Sequence, residues 1–289
     1  MEHVEPRVVA RTPLFAAQNS ERYARQYLIG RYEEQYGVTL IVMIDTIFAE
    51  KMTYLEELLF EADSSRPLHL LLASPGGEGE AAIRMVRSVQ ARCTDLVVIV
   101  PDMAKSAATL LCLGADQILM GPGGDLGPVD PQFQIRRNLV SAKEIVSAVS
   151  EAEDRIREAP ATFPLFANLL SDVNLLMVQQ ARSALERSEA LVREAIGCRT
   201  VRSEETINSL TAQLKRPLID EPNSHSAVIS AEYAAKLGLP AKSADVNSEH
   251  WQLVWNLWTR YYALGCFPAG DIAIYEGRRV SHVIHPAVS

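Results

Sequence analysis

An α/β fold around a parallel sheet follows from three features of the sequence. Four short runs, 38–44 (VTLIVMI), 68–73 (LHLLLA), 96–100 (LVVIV) and 117–120 (QILM), are apolar without alternation. Strands that read this way are buried on both faces, as in parallel sheets with helices above and below. Between them lie segments with helical spacing of apolar residues, and strands that alternate with helices imply crossover connections. The chain has 289 residues, 48% of them apolar and 22% charged. That is ordinary for a globular protein with one large or two modest domains.

Taken in order, residues 16–36 are mixed and charged and read as an exposed helical arm. After the first strand, residues 49–62 place Met52, Leu55, Leu58, Leu59 and Ala62 on one helical face. The second strand ends at Ser74-Pro75-Gly76-Gly77, and a helix over 80–93 carries Ile83, Val86 and Val89 inward. The third strand leads to Ser106 and a helix at about 106–114. Residues 121–132 (GPGGDLGPVDPQ) are rich in turn formers and read as a long irregular loop. A helix is expected at about 140–157, and a longer one through about 165–198 with Phe166, Leu169, Leu170, Val173, Leu176 and Met177 as its apolar side. Further helices are expected at 230–238 and 250–265, and the tail DIAIYEGRRVSHVI reads as a hairpin. The expected organisation is an N-terminal arm (1–36), a sheet-bearing core (37–160) and a helical C-terminal region (161–289).

Composition narrows the function. The net charge is −8 and no Lys/Arg-rich run occurs, so nucleic acid is not expected as a partner. Cys93, Cys112, Cys198 and Cys266 are widely spaced without a CxxC pair, which fits a reducing compartment rather than a zinc knuckle or a disulfide framework. The opening MEHVEPRVVARTPLF does not read as a signal peptide, and no apolar run approaches the ~20 residues of a membrane span. The expectation is a cytoplasmic protein with no integral membrane segment, no metal and no cofactor.

Two turns stand out, because in parallel sheets sites form at the carboxyl ends of strands. Gly76 and Gly77 lack Cβ atoms, so a substrate can approach their backbone N–H groups. Ser106 is either the cap of the helix it precedes or a displayed hydroxyl beside oriented N–H donors suited to an oxyanion. Taken alone, each turn has a plain structural explanation; their order and spacing favour the chemical one.

The joint pattern LLLASPGGEGEAAIRMVRSV, then VIVPDMAKSAATLLCLGADQILMGPGGDLGPVDPQ, then SHSAVISAEYAAKLGLPA resembles the serine dehydrogenase proteinase family across about residues 38–240. That family is related to signal peptide peptidase A and, more remotely, to the Clp protease subunit and the crotonases. The resemblance implies a Clp protease/crotonase-like parallel sheet of repeated ββα units with a helical C-terminal part. It also implies a serine peptidase acting on peptide or unfolded-protein substrates, and assembly into a homo-oligomer, a trimer or hexamer. It places Ser106 on the family nucleophile, Gly76 and Gly77 on the oxyanion and substrate-backbone strip, and Ala107 as a second N–H donor. Ser74 departs mildly from the Thr-Pro-Gly-Gly often found there.

Residues 129–133, Val-Asp-Pro-Gln-Phe, lack the histidine of Clp-type triads. Related Ser-Lys peptidases place a lysine at a helix start beyond the Gly-rich loop, and VSAKEIVSAV offers Lys143 there as general base. Its neighbours Val140, Ile145 and Val146 would disfavour a charged amine. Lys105 adjoins Ser106, but adjacent side chains diverge, so it reads as structural or substrate-facing. Asp130 either orients a base or holds its turn, and His225 reads as a capping or surface residue. The stripe Trp251, Trp255, Trp258 and Tyr262 reads as core or subunit interface. Two other classes stay open at this point: acyl-CoA hydratase/isomerase-type chemistry on the same scaffold, in which Ser106 would be idle, and a catalytically silent interaction protein.

Overall fold

The computed structural model describes residues 12–60, 62–135, 138–199, 201–221 and 227–286. Its centre is a seven-stranded sheet in the order β11-β10-β1-β2-β3-β5-β9. β1 (Thr39–Ile44), β2 (Leu68–Ala73), β3 (Leu96–Val100), β5 (Gln117–Met120) and β9 (Ala241–Ser243) run parallel. β10 (Ala273–Glu276) lies antiparallel to β1 and forms the expected tail hairpin with β11 (Ser281–Ile284).

Both faces of the sheet are dry. Ile41, Met43, Leu70, Leu72, Val98 and Val100 point into the larger core. They pack there with α3 (Met52–Phe60), α4 (Gly79–Gln90), α5 (Ala107–Leu113), α8 (Leu175–Gly197), α9 (Glu204–Lys215) and α10 (Ala231–Lys236). Leu40, Val42, Ile44, Leu71 and Ile99 point the other way, against α2 (Ser20–Tyr36) and α11 (Glu249–Leu264). This two-sided burial explains why the strands lack alternation.

Three expectations change. The helix expected to be an exposed arm is preceded by a short α1 (Pro13–Gln18), and α2 buries Leu28, Ile29 and Tyr32 in the second core. Its Arg25 pairs with the fully buried Glu276 at 2.8 Å, and Tyr261 donates to the same carboxylate. The long helix through 165–198 is broken into α7 (Phe163–Leu169) and α8, because Asn174 caps the second with its side-chain oxygen accepting from Met177 N–H. The aromatic stripe does not form one buried face: Trp251 and Trp258 are buried, whereas Trp255 and Tyr262 are about half exposed.

One unit stands apart. The hairpin of β7 (Gln132–Ile135) and β8 (Asn138–Ser141) leads into α6 (Ala142–Glu158), which packs along α8. Ala142, Ile145, Val178 and Ala181 form its own small apolar cluster. Ser141 and Glu144 close a reciprocal capping box at the start of α6.

Candidate active site

The site is built where β2 and β3 leave the sheet. Ser74 keeps pairing past the end of β2: its N–H donates to Met103 O, and Lys105 N–H donates to Ser74 O, both at 3.0 Å. β4 (Met103–Ala104) in turn pairs with β6 (Asp125–Leu126). The chain thus arrives at Ser106 clamped on both sides.

Ser106 has φ 52° and ψ −116°, the only positive φ among the described non-glycine residues. An L-residue there is strained by roughly 1–3 kcal/mol, and it persists because its surroundings over-determine it. Ala108 N–H donates to Lys105 O and Leu110 N–H to Ser106 O. Thr109, fully buried, donates to Ala104 O and to Gly127 O and accepts from Gly127 N–H. The Ser106 side chain makes no cap bond, although it holds the cap position of α5. The hydroxyl is displayed, as at the sharp strand-to-helix turn of a nucleophile elbow.

Gly76 and Gly77 have φ of 110° and 142°, and Gly76 lies against this turn. A Cβ on Gly76 would sit 2.7 Å from Ser106 Cβ, and one on Gly77 would sit 2.1 Å from Ile47 O. Gly76 has both backbone groups engaged: its N–H donates to Ser74 Oγ at 3.1 Å and its carbonyl accepts from Ile47 N–H at 2.8 Å. Glu78 N–H donates to Ile47 O, so the N–H of Gly77 between them points away from Ile47. Among the described residues, neither the Gly77 nor the Ala107 N–H has a hydrogen-bond acceptor. Two unpaired donors beside a displayed hydroxyl are the elements of an oxyanion site.

The two lysines have different surroundings. The Lys105 ammonium lies 2.8 Å from Asp125 and near the carbonyls of Leu126 and Ala227, and it is mostly buried. It is a latch between the Ser106 turn, β6 and the segment before α10. Lys143 is the second residue of α6 and half-buried, and its ammonium has no ion-pair partner among the described residues. The turn that Asp130 occupies is tied to this helix. Asp130 is buried and accepts from Gln132 Nε2 at 2.8 Å, and the next carbonyl, of Pro131, accepts from Ala142 N–H. His225 lies outside the described residues.

Ile47, Thr109 and Asp125 escape a sequence reading. Ile47 is fully buried at the end of the β1 exit and is the backbone rail on which the glycine strip lies. Asp125 sits in GGDLGP, where an acidic residue reads as ordinary turn chemistry. Among the described residues no three His, Cys, Asp or Glu side chains cluster as metal ligands.

A model of the ClpP-like SDH-type serine proteinases matches residues 58–261, from α3 to α11. The chain belongs to this family. Serine-peptidase chemistry is the character of that family. Two curated relatives come from Methanocaldococcus jannaschii. Uncharacterized protein MJ0137 is 25% identical over 231 residues, 80% of this chain and 73% of that one. Uncharacterized protein MJ1495 is 26% identical over 184 residues, 58% and 56% of the two chains. Among solved structures, the chain is similar to two variants of the membrane-bound stomatin-specific protease 1510-N. A lysine-to-alanine variant in complex with a substrate peptide has a TM-score of 0.47 at 14% identity, over 74% of this chain and 78% of that one. A serine-to-alanine variant has a TM-score of 0.45 at 14% identity, over 80% and 87%. Among the described residues of the present chain, no helix is long and apolar enough to cross a membrane.

Proposed function

We propose that the protein is a serine endopeptidase working through an acyl-enzyme with a Ser106–Lys143 dyad. Ser106 Oγ attacks the scissile carbonyl carbon and Lys143 Nζ takes its proton. The N–H groups of Gly77 and Ala107 hold the oxyanion. The leaving amine takes the proton from Lys143, and water, activated by the same amine, releases the acyl group. One observation carries this reading: a strained serine with an uncommitted hydroxyl beside two unpaired N–H donors. Lys143 is favoured as base because its ammonium has no ion-pair partner among the described residues, whereas that of Lys105 is bound to Asp125. An extended substrate would add its backbone to the free edge of the glycine strip.

A fluorophosphonate probe tests the nucleophile. Labelling at Ser106, with loss of both labelling and hydrolysis in Ser106→Ala, is the expected outcome; full hydrolysis by pure Ser106→Ala protein would refute it. If Lys143 is the base, Lys143→Met removes hydrolysis while the protein stays folded.

The reading includes self-association. Phe163, Leu165, Leu169, Leu175 and Leu176 are each more than half exposed along α7 and the start of α8. An apolar surface of this size is where subunits would meet. Light scattering at micromolar concentration should give a mass well above the 31.9 kDa of one chain; an active monomer would refute it.

A further inference from the structure

All three tryptophans of the chain line one cavity of about 440 Å³. It lies beyond the carboxyl ends of β3 and β5, apart from the glycine strip. Pro101, Pro122 and Val246 complete its apolar walls together with Trp251, Trp255 and Trp258. The rings of Trp251 and Trp255 are 6.2 Å apart and tilted by 30°. Among the described residues, Asp102 is the one ionisable residue in the lining. Its Oδ2 is buried and has no hydrogen-bond partner among the described residues. Burial, and next the charge of Asp125, hold its carboxyl above the usual range. The nearby cation, Lys105, is already bound to Asp125.

These features ask for a cation. Indole faces attract ammonium and guanidinium groups, most strongly where water is excluded. A carboxylate with an unused buried oxygen supplies the charge-assisted acceptor. A neutral apolar side chain would fill the walls and leave Asp102 unsatisfied, which is costly. An anion would meet both Asp102 and a chain of net charge −8.

We infer that this pocket holds a lysine or arginine side chain of the polypeptide substrate. The inference rests on the peptidase reading for the source of that side chain. Reach supports the assignment: Asp102 precedes Ser106 by four residues, and four extended residues span at most about 14 Å. A substrate chain lying at Ser106 covers that span with a similar number of its own residues.

Because every tryptophan is in the pocket, tryptophan emission reports occupancy without turnover. Ser106→Ala full-length protein is titrated with Nα-acetyl-lysine methylamide and with its norleucine counterpart. A saturable emission change is expected for the lysine compound, about tenfold or more weaker for norleucine and in the Asp102→Asn background. Equal responses to the two compounds, or a response unchanged by Asp102→Asn, would overturn the cation pocket. Active protein is then given peptides that differ only in lysine or norleucine at successive positions around the cleaved bond. At one position lysine should raise kcat/KM about tenfold, and Asp102→Asn should erase that preference. Cleavage with no lysine preference at any position would overturn the substrate assignment. A lysine-specific emission change in a protein that cleaves none of the peptides would instead sink the peptidase reading and uphold the pocket.

Discussion

The turn that carries Ser106 and the unit that carries Lys143 are built in opposite ways. Ser106 sits at the mouth of the main sheet, and every residue of α5 behind it is buried. Backbone bonds of Ser74 and Lys105 and the side-chain hydroxyl of Thr109 leave the turn one conformation. Lys143 rides on α6, which has its own four-residue apolar cluster and touches the body chiefly through α8. Much of the neighbouring surface, including Leu139 and Leu176, is exposed. One half of the proposed dyad is fixed by the core, and the other is presented by a lightly packed unit. Damage to the first should cost stability and activity together; damage to the second should cost activity alone.

The largest effect expected is from Gly77→Ala. The added methyl overlaps Ile47 O and occupies a φ that alanine avoids, so the strip or the β1 exit must shift. A loss of about 4 kcal/mol or more is expected by denaturant unfolding, with activity gone. A variant of native stability would show that the strip is not held as described.

The two lysines sharpen the contrast most directly. Lys105→Met strands Asp125 in a mostly buried site, and about 3 kcal/mol of stability should be lost. Lys143→Met should abolish turnover while unfolding stability stays within about 0.5 kcal/mol of the parent, as for surface substitutions. If instead only Lys105→Met loses activity at native stability, the base has been assigned to the wrong residue.

Acid should reach the sheet half first. Tyr32 Oη lies 2.6 Å from both His69 Nδ1 and His250 Nε2, joining α2, β2 and α11. Burial, and next the neighbouring His250, push the His69 imidazole down to about 4 from its ordinary 6.5. The folded state therefore resists a proton that the unfolded chain accepts. The stabilisation is complete above about pH 6.5 and is lost as pH falls towards 4, a change of roughly 2–3 kcal/mol. Unfolding in denaturant at pH 7.5, 6 and 4.5 should show this slope, and His69→Phe should flatten it. An unchanged slope in that variant would place the acid sensitivity elsewhere.

A smaller loss is expected at Thr109→Val. It keeps the shape but removes the hydroxyl shared by Ala104 and Gly127. About 1–3 kcal/mol and part of the activity should go, because the turn beneath Ser106 loosens. Smallest of all is Leu176→Asp at the exposed start of α8. Stability of the isolated chain should change by no more than about 0.5 kcal/mol, while the mass seen by light scattering falls. An assembly that survives this change would place the subunit contact on another face.

The sequence by itself determined the sheet and the turn that displays Ser106. Unbroken apolar runs such as VTLIVMI and LVVIV have no stable place except a strand covered on both sides. Gly76-Gly77 can take the positive φ that side chains avoid, and only small residues crowd Ser106, so these turns were legible. Sequence spacing could not show that α2 is half core, because its inward residues Leu28, Ile29 and Tyr32 are interleaved with Arg25 and other charged groups. Arg25 reads as a surface residue until Glu276, 251 positions away, is folded against it. The break at Asn174 was hidden because its cap bond with Met177 N–H is visible only once α8 has formed. The roles of Thr109 and Asp125, the shared pocket of the three tryptophans and the unsatisfied oxygen of Asp102 were decided by tertiary structure alone. Local pattern fixes what a segment must bury. Which polar group meets which partner depends on contacts between residues far apart in the chain, and those exist only after the sheet has brought the strand ends together.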